Sequence, residues 1–243
     1  MKRDSKNIER HKEFYDEYWA DLKPFSRYKI KRVAHILELL IHCRTQLRLD
    51  RPVDILDLGC GDGRSVAVWQ IVGHACGLDL SEKAMEAAQK MFPKLRFYAG
   101  NALESPFEDQ AFDVVISQEV IEHIEVQSRY VDECYRVLRK GGYLILTTPN
   151  NYYFQRRKGG NYSQQPIENL LTPKELRELL VPQFEVIRHY TIIPATGDHG
   201  IYRLLDSRWL KGGMYKIGLG SLHDKMKNKW MLSLNQVVMA RKV

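Results

Sequence analysis

Cysteine is scarce: Cys43, Cys60, Cys76 and Cys134 are the whole complement of 243 residues, and no two form a C-x-x-C pair. That spacing excludes a disulfide-stapled scaffold and reads as free thiols in a reducing, cytoplasmic setting. Long apolar runs are also missing, and nothing approaches the roughly 20 residues that a membrane-spanning helix needs. The opening stretch Met1-Lys2-Arg3-Asp4-Ser5-Lys6 leads into charged sequence without an apolar core, so no secretory signal is expected. What is present is globular in character, with 44% hydrophobic and 28% charged residues.

The formal net charge of +7 is unevenly spread. Residues 1–50 carry 12 basic and 8 acidic side chains, residues 51–140 carry 10 and 15, and residues 141–243 carry 15 and 7. A nucleic-acid-binding core is normally basic on its own account, and here the middle of the chain is acidic. The basic flanks instead suggest an anionic partner for the parts outside the core.

Hydrophobic spacing divides the chain. Residues 8–22 read as a polar helix with an aromatic face of Phe14, Tyr15, Tyr18 and Trp19, broken at Pro24. Residues 26–47 place Ile30, Val33, Ala34, Leu37, Leu40 and Ile41 at helical intervals. From Val53 the pattern becomes short bounded apolar runs, at 53–58, 75–80, 95–99, 112–117 and 143–148, alternating with helices at about 64–72, 81–91 and 127–139. Such runs suit buried parallel strands, and the alternation predicts a doubly wound α/β sheet with right-handed crossovers. Gly141-Gly142 read as punctuation before the fifth strand, and residues 150–169 as a long mobile loop. Thr172-Pro173-Lys174-Glu175 reads as a capped helix start. A strand over 184–192, helices over 200–230 and a last strand over 232–240 complete one domain.

The chemistry concentrates at Asp57-Leu58-Gly59-Cys60-Gly61-Asp62-Gly63. A glycine-rich turn between a parallel strand and a helix lets backbone approach a ligand closely and turns helix N–H groups toward it. The next strand ends in Asp79, placed to accept hydrogen bonds from ribose hydroxyls.

On these residues the chain resembles the class I S-adenosylmethionine-dependent methyltransferases, tightly over about 50–150 and loosely in the flanks. The resemblance implies a mostly parallel seven-stranded, Rossmann-like sheet. It implies N-terminal helices over the active site (1–50), a cofactor-binding core (51–150) and a substrate-side loop, helical insertion and last strands (151–243). It implies S-adenosylmethionine held by Asp57, Gly59, Cys60, Gly61 and Gly63, with Asp79 on the ribose and Leu80 on the adenine. Asn101 and Ala102 match the stretch that bonds the adenine amine, and Gln118 follows the fourth strand. Arg27 or Arg32 is expected to pair with the cofactor's carboxylate. Leu138-Arg139-Lys140-Gly141-Gly142 matches the family's turn into the fifth strand.

Gln118-Glu119-Val120-Ile121-Glu122-His123 resembles an E-x-x-E-H pattern of two branches, the quinone-biosynthesis O-methyltransferases and the small-RNA 2′-O-methyltransferases. At i, i+3 and i+4, Glu119, Glu122 and His123 would share one helical face. Two roles stay open: a Mg²⁺ or Mn²⁺ site polarising a hydroxyl, or His123 acting as a general base with no metal. The RNA branch carries a further His ligand before the helix-opening Thr, and residues 164–172 hold none. Trp19, Tyr28, Tyr152, Tyr153 and Phe154 are candidates to line an apolar acceptor pocket.

The expected activity is therefore methyl transfer to an oxygen of a small-molecule acceptor. RNA, a lipid or sugar intermediate at a membrane surface, and non-catalytic cofactor binding stand as alternatives. Peripheral membrane contact is compatible with the basic, Trp-bearing stretch 200–230.

Overall fold

The structure, a computed structural model, describes residues 2–19, 24–156, 165–194, 200–207 and 209–243. Two helices come first, α1 (Lys2–Tyr18) and α2 (Arg27–Leu47), the second capped by the Ser26 hydroxyl on the Lys29 amide. The core alternates β1 (Val53–Leu58), α3 (Arg64–Trp69), β2 (Gly73–Asp79), α4 (Glu82–Met91), β3 (Arg96–Ala99) and β4 (Phe112–Gln118). A 3₁₀ turn at Ile121–His123 leads into α5 (Gln127–Val137) and β5 (Leu138–Pro149). Then come α6 (Asn151–Phe154), α7 (Pro173–Leu180), β6 (Phe184–Ile192), α8 (Ile201–Leu205), α9 (Leu210–Lys216), α10 (Gly220–Lys229) and β7 (Asn235–Lys242).

The seven strands form one sheet in the order β3-β2-β1-β4-β5-β7-β6. β1 to β5 pair in parallel, while β7 runs antiparallel to both β5 and β6. β6 therefore points the same way as the first five. Chain order reverses between β1 and β4, which places the crevice at their carboxyl ends. The expected doubly wound, mostly parallel architecture is the observed one.

Both faces are dry. On one, Ile36, Leu39 and Leu40 of α2 pack with Val66, Trp69, Ala84 and Ala88 over Ile55, Val114 and Ile145. On the other, Tyr130, Val131, Cys134, Leu176 and Leu180 cover Leu56, Leu58, Val115 and Leu144. β1 and β4 are accordingly buried nearly throughout rather than on alternate residues.

The elements differ from the expected bounds in three informative places. Gly141 and Gly142 lie within β5 instead of preceding it. There the register against β4 shifts between Phe112 and Val114, with Gly141 at φ 77°. The pair makes a bulge, the feature for which glycine's left-handed freedom is suited. The stretch expected as a loop after Pro149 opens with α6, because Asn150 caps the Tyr152 amide; residues 157–164 of that expectation lie outside the described residues. α1 ends at Tyr18, and residues 20–22 of its expected span lie outside them too. The Thr172 capping box forms as expected, with Glu175 reaching back to the Thr172 amide. No helix among the described residues is long and apolar enough to cross a membrane.

Candidate active site

The glycine turn is shaped by what it must avoid. Gly59 and Gly61 sit at φ 86° and 56°, where an L side chain is strained. A Cβ on Gly59 would collide with Val120, and one on Gly61 with the Trp19 ring. The Gly59 and Cys60 amides both donate to the Leu78 carbonyl, at 2.7 and 3.0 Å, tying the turn to the end of β2. Asp79 completes the tie: its carboxylate accepts from the Gly61 amide at 2.8 Å and the Ser81 amide at 3.0 Å. Burial lifts the Asp79 carboxyl above its ordinary range, and the backbone donors counter only part of that.

A cavity of about 460 Å³ opens beside this turn. Eleven of the residues expected to bind cofactor or take part in catalysis line it: Arg32, Gly59, Cys60, Gly61, Asp79, Leu80, Asn101, Ala102, Gln118, Glu119 and His123. Asn101 Oδ1 already accepts the Leu103 amide at 2.9 Å, which leaves one lone pair on that oxygen.

Four others are placed elsewhere. Asp57 is buried beneath the turn, accepting from Trp69 Nε1 at 2.8 Å and Gln118 Nε2 at 3.2 Å, with its carboxyl pushed up to about 7 by burial. It orients Gln118 rather than meeting a ligand. Gly63 caps α3 and faces Phe97 and Ala88. Arg27 is exposed, its guanidinium 5.0 Å from the Tyr28 ring centre. Arg32, its counterpart, does line the cavity and lies 3.5 Å from Glu119. Glu122 is the fourth.

The E-x-x-E-H stretch does not make one helical face. Glu119 adopts a left-handed backbone, φ 56°, before the 3₁₀ turn begins, and this breaks the i, i+3, i+4 relation. Its Oε2 accepts from Asn235 Nδ2 at 2.7 Å. Glu122 turns into the protein, fully buried, with Oε2 accepting from the Thr148 hydroxyl at 2.9 Å. Burial and the Glu119 charge push the Glu122 carboxyl well above its usual range. Only Glu119 and His123 remain on the cavity side. Among the described residues no three His, Cys, Asp or Glu side chains converge to hold a metal ion. The proposed Mg²⁺ or Mn²⁺ donors thus do not fit that role.

His123 is held by its own carbonyl partner. Nδ1 lies 2.9 Å from the Ile167 carbonyl, which can only accept, so Nδ1 carries the proton and Nε2 bears the lone pair. Burial lowers the His123 pKa below 6.5, although the Ile167 hydrogen bond and the Glu119 and Glu168 charges act in the other direction.

Sequence reasoning missed several lining residues. Lys29, from α2, rests 4.4 Å from the Phe25 ring centre and 3.4 Å from Asp62. Asp62 also receives Arg64 Nε at 2.9 Å. Tyr15 lines the wall and donates to Gln165 Oε1 at 2.7 Å. Asp62 and Arg64 lay within the glycine motif and were legible there; Lys29 has no local signature. The aromatic expectation holds for Trp19 only. Tyr153 packs 5.7 Å from Tyr202, Tyr152 lies beneath Arg156, and Tyr28 is exposed, none of them on the cavity wall.

Residues 56–146 match a family model described as a methyltransferase domain. Over this core the chain is similar to the class I S-adenosylmethionine-dependent methyltransferases. A probable S-adenosylmethionine-dependent methyltransferase of Mycolicibacterium smegmatis is 35% identical over 129 residues, 52% of this chain and 49% of that one. The mitochondrial ubiquinone biosynthesis O-methyltransferase of Candida albicans is 36% identical over 116 residues, 44% and 36% respectively. The chain thus spans half or less of these relatives. A solved protein from Pyrococcus horikoshii OT3 shares the fold at 17% identity and TM-score 0.61, over 90% of this chain and 92% of that one.

The cavity offers groups suited to S-adenosylmethionine. Gln118 Oε1 and Arg32 Nε are buried without a hydrogen-bond partner among the described residues, and both side chains line the cavity. An amide oxygen and a guanidinium N–H left so suit the ammonium and carboxylate of an amino-acid group. Asp79 suits ribose hydroxyls, and Leu80 and Ala102 an apolar ring.

Proposed function

We propose that this chain transfers a methyl group from S-adenosylmethionine to an oxygen of a small-molecule acceptor. The observation that carries the reading is His123. It is a buried, neutral imidazole with its lone pair on Nε2, on the wall of the cavity that Asp79 also lines. β4, which leads to His123, is two strands from β2, which ends in Asp79. That is about 10 Å across the sheet, at neighbouring strand spacings of about 4.8 Å. A base so placed takes the proton from a hydroxyl as the oxygen becomes a nucleophile.

When bound, the sulfonium supplies an already activated methyl group. What the chain contributes is binding and alignment. Gly59 and Gly61 give close backbone approach, Asp79 and Arg32 fix the two ends, and Tyr15 of α1 with Trp19 just beyond it cover the cavity and exclude water. α1 is fastened there by Asp16, which accepts from the Ser81 hydroxyl and the Lys83 amide at the start of α4, where the helix dipole favours an anion. The ubiquinone O-methyltransferase relatives support an oxygen acceptor. The acidic core, and the lack of convergent metal donors among the described residues, weigh against the RNA reading.

Methyl-labelled S-adenosylmethionine should transfer label to a phenol or catechol in a mixed panel of hydroxyl, amine and RNA acceptors, read by mass spectrometry. Excess EDTA should leave the rate unchanged. Label appearing only in RNA, only on nitrogen, or only with added Mg²⁺ or Mn²⁺ would overturn the assignment.

A further inference from the structure

Between β6 and β7 the chain builds α8, α9 and α10, one side of which is fastened and the other bare. The inner side is well anchored. Tyr202 and Leu205 of α8 are buried with Tyr153 and Leu232. Lys227 of α10 pairs with Asp206 at 2.8 Å, and His223 Nε2 lies 3.0 Å from the Leu205 carbonyl.

The outer side carries large apolar side chains in water. Trp209 is 92% exposed, Ile217 70% and Leu204 67%, with Leu219, Leu222 and Trp230 also exposed. Between them stand Arg203, Lys216, Lys225 and Lys229, all exposed, and half-exposed Lys211. Asp206 is paired with Lys227, and Asp224, which accepts from the Tyr215 hydroxyl at 3.0 Å, is one half-exposed acid against these five bases. The outer surface is therefore cationic as well as apolar.

α9 adds an independent observation. It buries no side chain and contains Gly212 and Gly213, residues that disfavour a helix interior. A helix of this kind is weakly held by its own sequence, so an apolar surface laid against it would stabilise it.

Apolar side chains interleaved with Lys and Arg, Trp among them, are the features of a helix that lies in a lipid–water interface. We propose that the outer face of α8–α10 docks on an anionic lipid bilayer. A second copy of the chain is the poorer occupant, because a two-fold contact would set the same cations against one another. A nucleic acid is poorer too, since Leu204, Ile217, Leu219 and Leu222 offer nothing to a phosphate backbone.

The location gives the docking face a purpose. β6 runs parallel to β5, so the insertion leaves the sheet at its carboxyl edge, where the cavity lies. Asn150, directly after β5, donates from Nδ2 to the Met231 and Ser233 carbonyls at 2.8 and 2.9 Å. Asn235, at the start of β7, donates to the cavity residue Glu119. Docking thus presents the cavity edge to the bilayer, where an apolar acceptor would partition. The docking itself needs neither cofactor nor turnover, so its test is separate from that of the methyl-transfer reading.

The intact protein is sedimented with vesicles of phosphatidylcholine alone, or of phosphatidylcholine with about one-third phosphatidylglycerol. Binding is expected to the anionic vesicles, weakening with salt, with a blue shift of tryptophan emission. Each neutralised basic residue should weaken binding about fivefold, so Lys216→Ala with Lys225→Ala costs about 25-fold. Trp209→Ser with Ile217→Ser should abolish the blue shift arising from position 209 and weaken binding further. Circular dichroism and thermal melting confirm that each variant is folded. The proposal is overturned by no co-sedimentation at low salt, or by binding that both variants leave unchanged. It is equally overturned if the face instead mediates self-association in sedimentation velocity, or retains an RNA oligonucleotide but not vesicles.

Discussion

Asp79→Ala is expected to lower the affinity for S-adenosylmethionine by at least about 100-fold. Hydrogen bonds to a charged carboxylate contribute about 1.5–3 kcal/mol each, and two ribose hydroxyls would lose theirs together. The variant also leaves the Gly61 and Ser81 amides without the acceptor they use now, so a fall of a few degrees in melting temperature is expected as well. Asp79→Asn separates the two effects: it preserves the shape and one acceptor but sets an amide NH₂ against the other backbone donor. Its affinity, read by calorimetry on protein with native circular dichroism, should still fall about tenfold. The charge also has a pH signature. Because burial raises the Asp79 pKa, the carboxylate protonates at a higher pH than an ordinary Asp. Cofactor affinity should therefore decline on acidification earlier than a pKa near 3.9 would give. Normal affinity in both variants would remove Asp79 from the binding site.

His123→Ala is expected to reduce kcat for methyl transfer by about 10²–10⁴-fold, the usual contribution of a positioned general base, with cofactor affinity nearly unchanged. The pH profile distinguishes this from a packing defect. The reaction needs neutral imidazole, and the folded-state pKa lies below 6.5. The rate should thus be flat through neutral pH and fall with decreasing pH only below about 6.5. His11 lines the same cavity, its pKa also lowered by burial and by His123. His11→Gln should keep that acid limb, whereas His123→Gln should lose both the limb and the rate. A His123 variant with full kcat, or an acid limb that follows His11, would transfer the role.

The parts of this account that sequence made visible are local ones. β1 spans 53–58 as its short, bounded and largely apolar run indicated, because a strand buried on both faces does not alternate polar and apolar positions. The glycine turn and Asp79 were legible for the same reason, since their function depends on neighbouring positions at the ends of adjacent strands. The failures arose where tertiary packing or one unusual dihedral decided the outcome. E-x-x-E-H suggested a shared helical face, but Glu119 at φ 56° sends Glu122 inward to Thr148. Nothing about a glutamate announces a left-handed backbone. Arg27 and Arg32 were equivalent in sequence, yet five positions on a helix are about 140° apart, so the docking of α2 admits only one to the cavity. Lys29 enters by that same docking. The net charge is likewise resolved by location, since five cations of the late insertion are exposed or half-exposed.

The central claim is that the cavity between the glycine turn and α1 binds S-adenosylmethionine. Isothermal titration of the intact protein with the cofactor tests it directly. A single site per chain with micromolar affinity is predicted, lost in Asp79→Ala. An absence of heat and of competition at millimolar cofactor, with the protein natively folded, would contradict it.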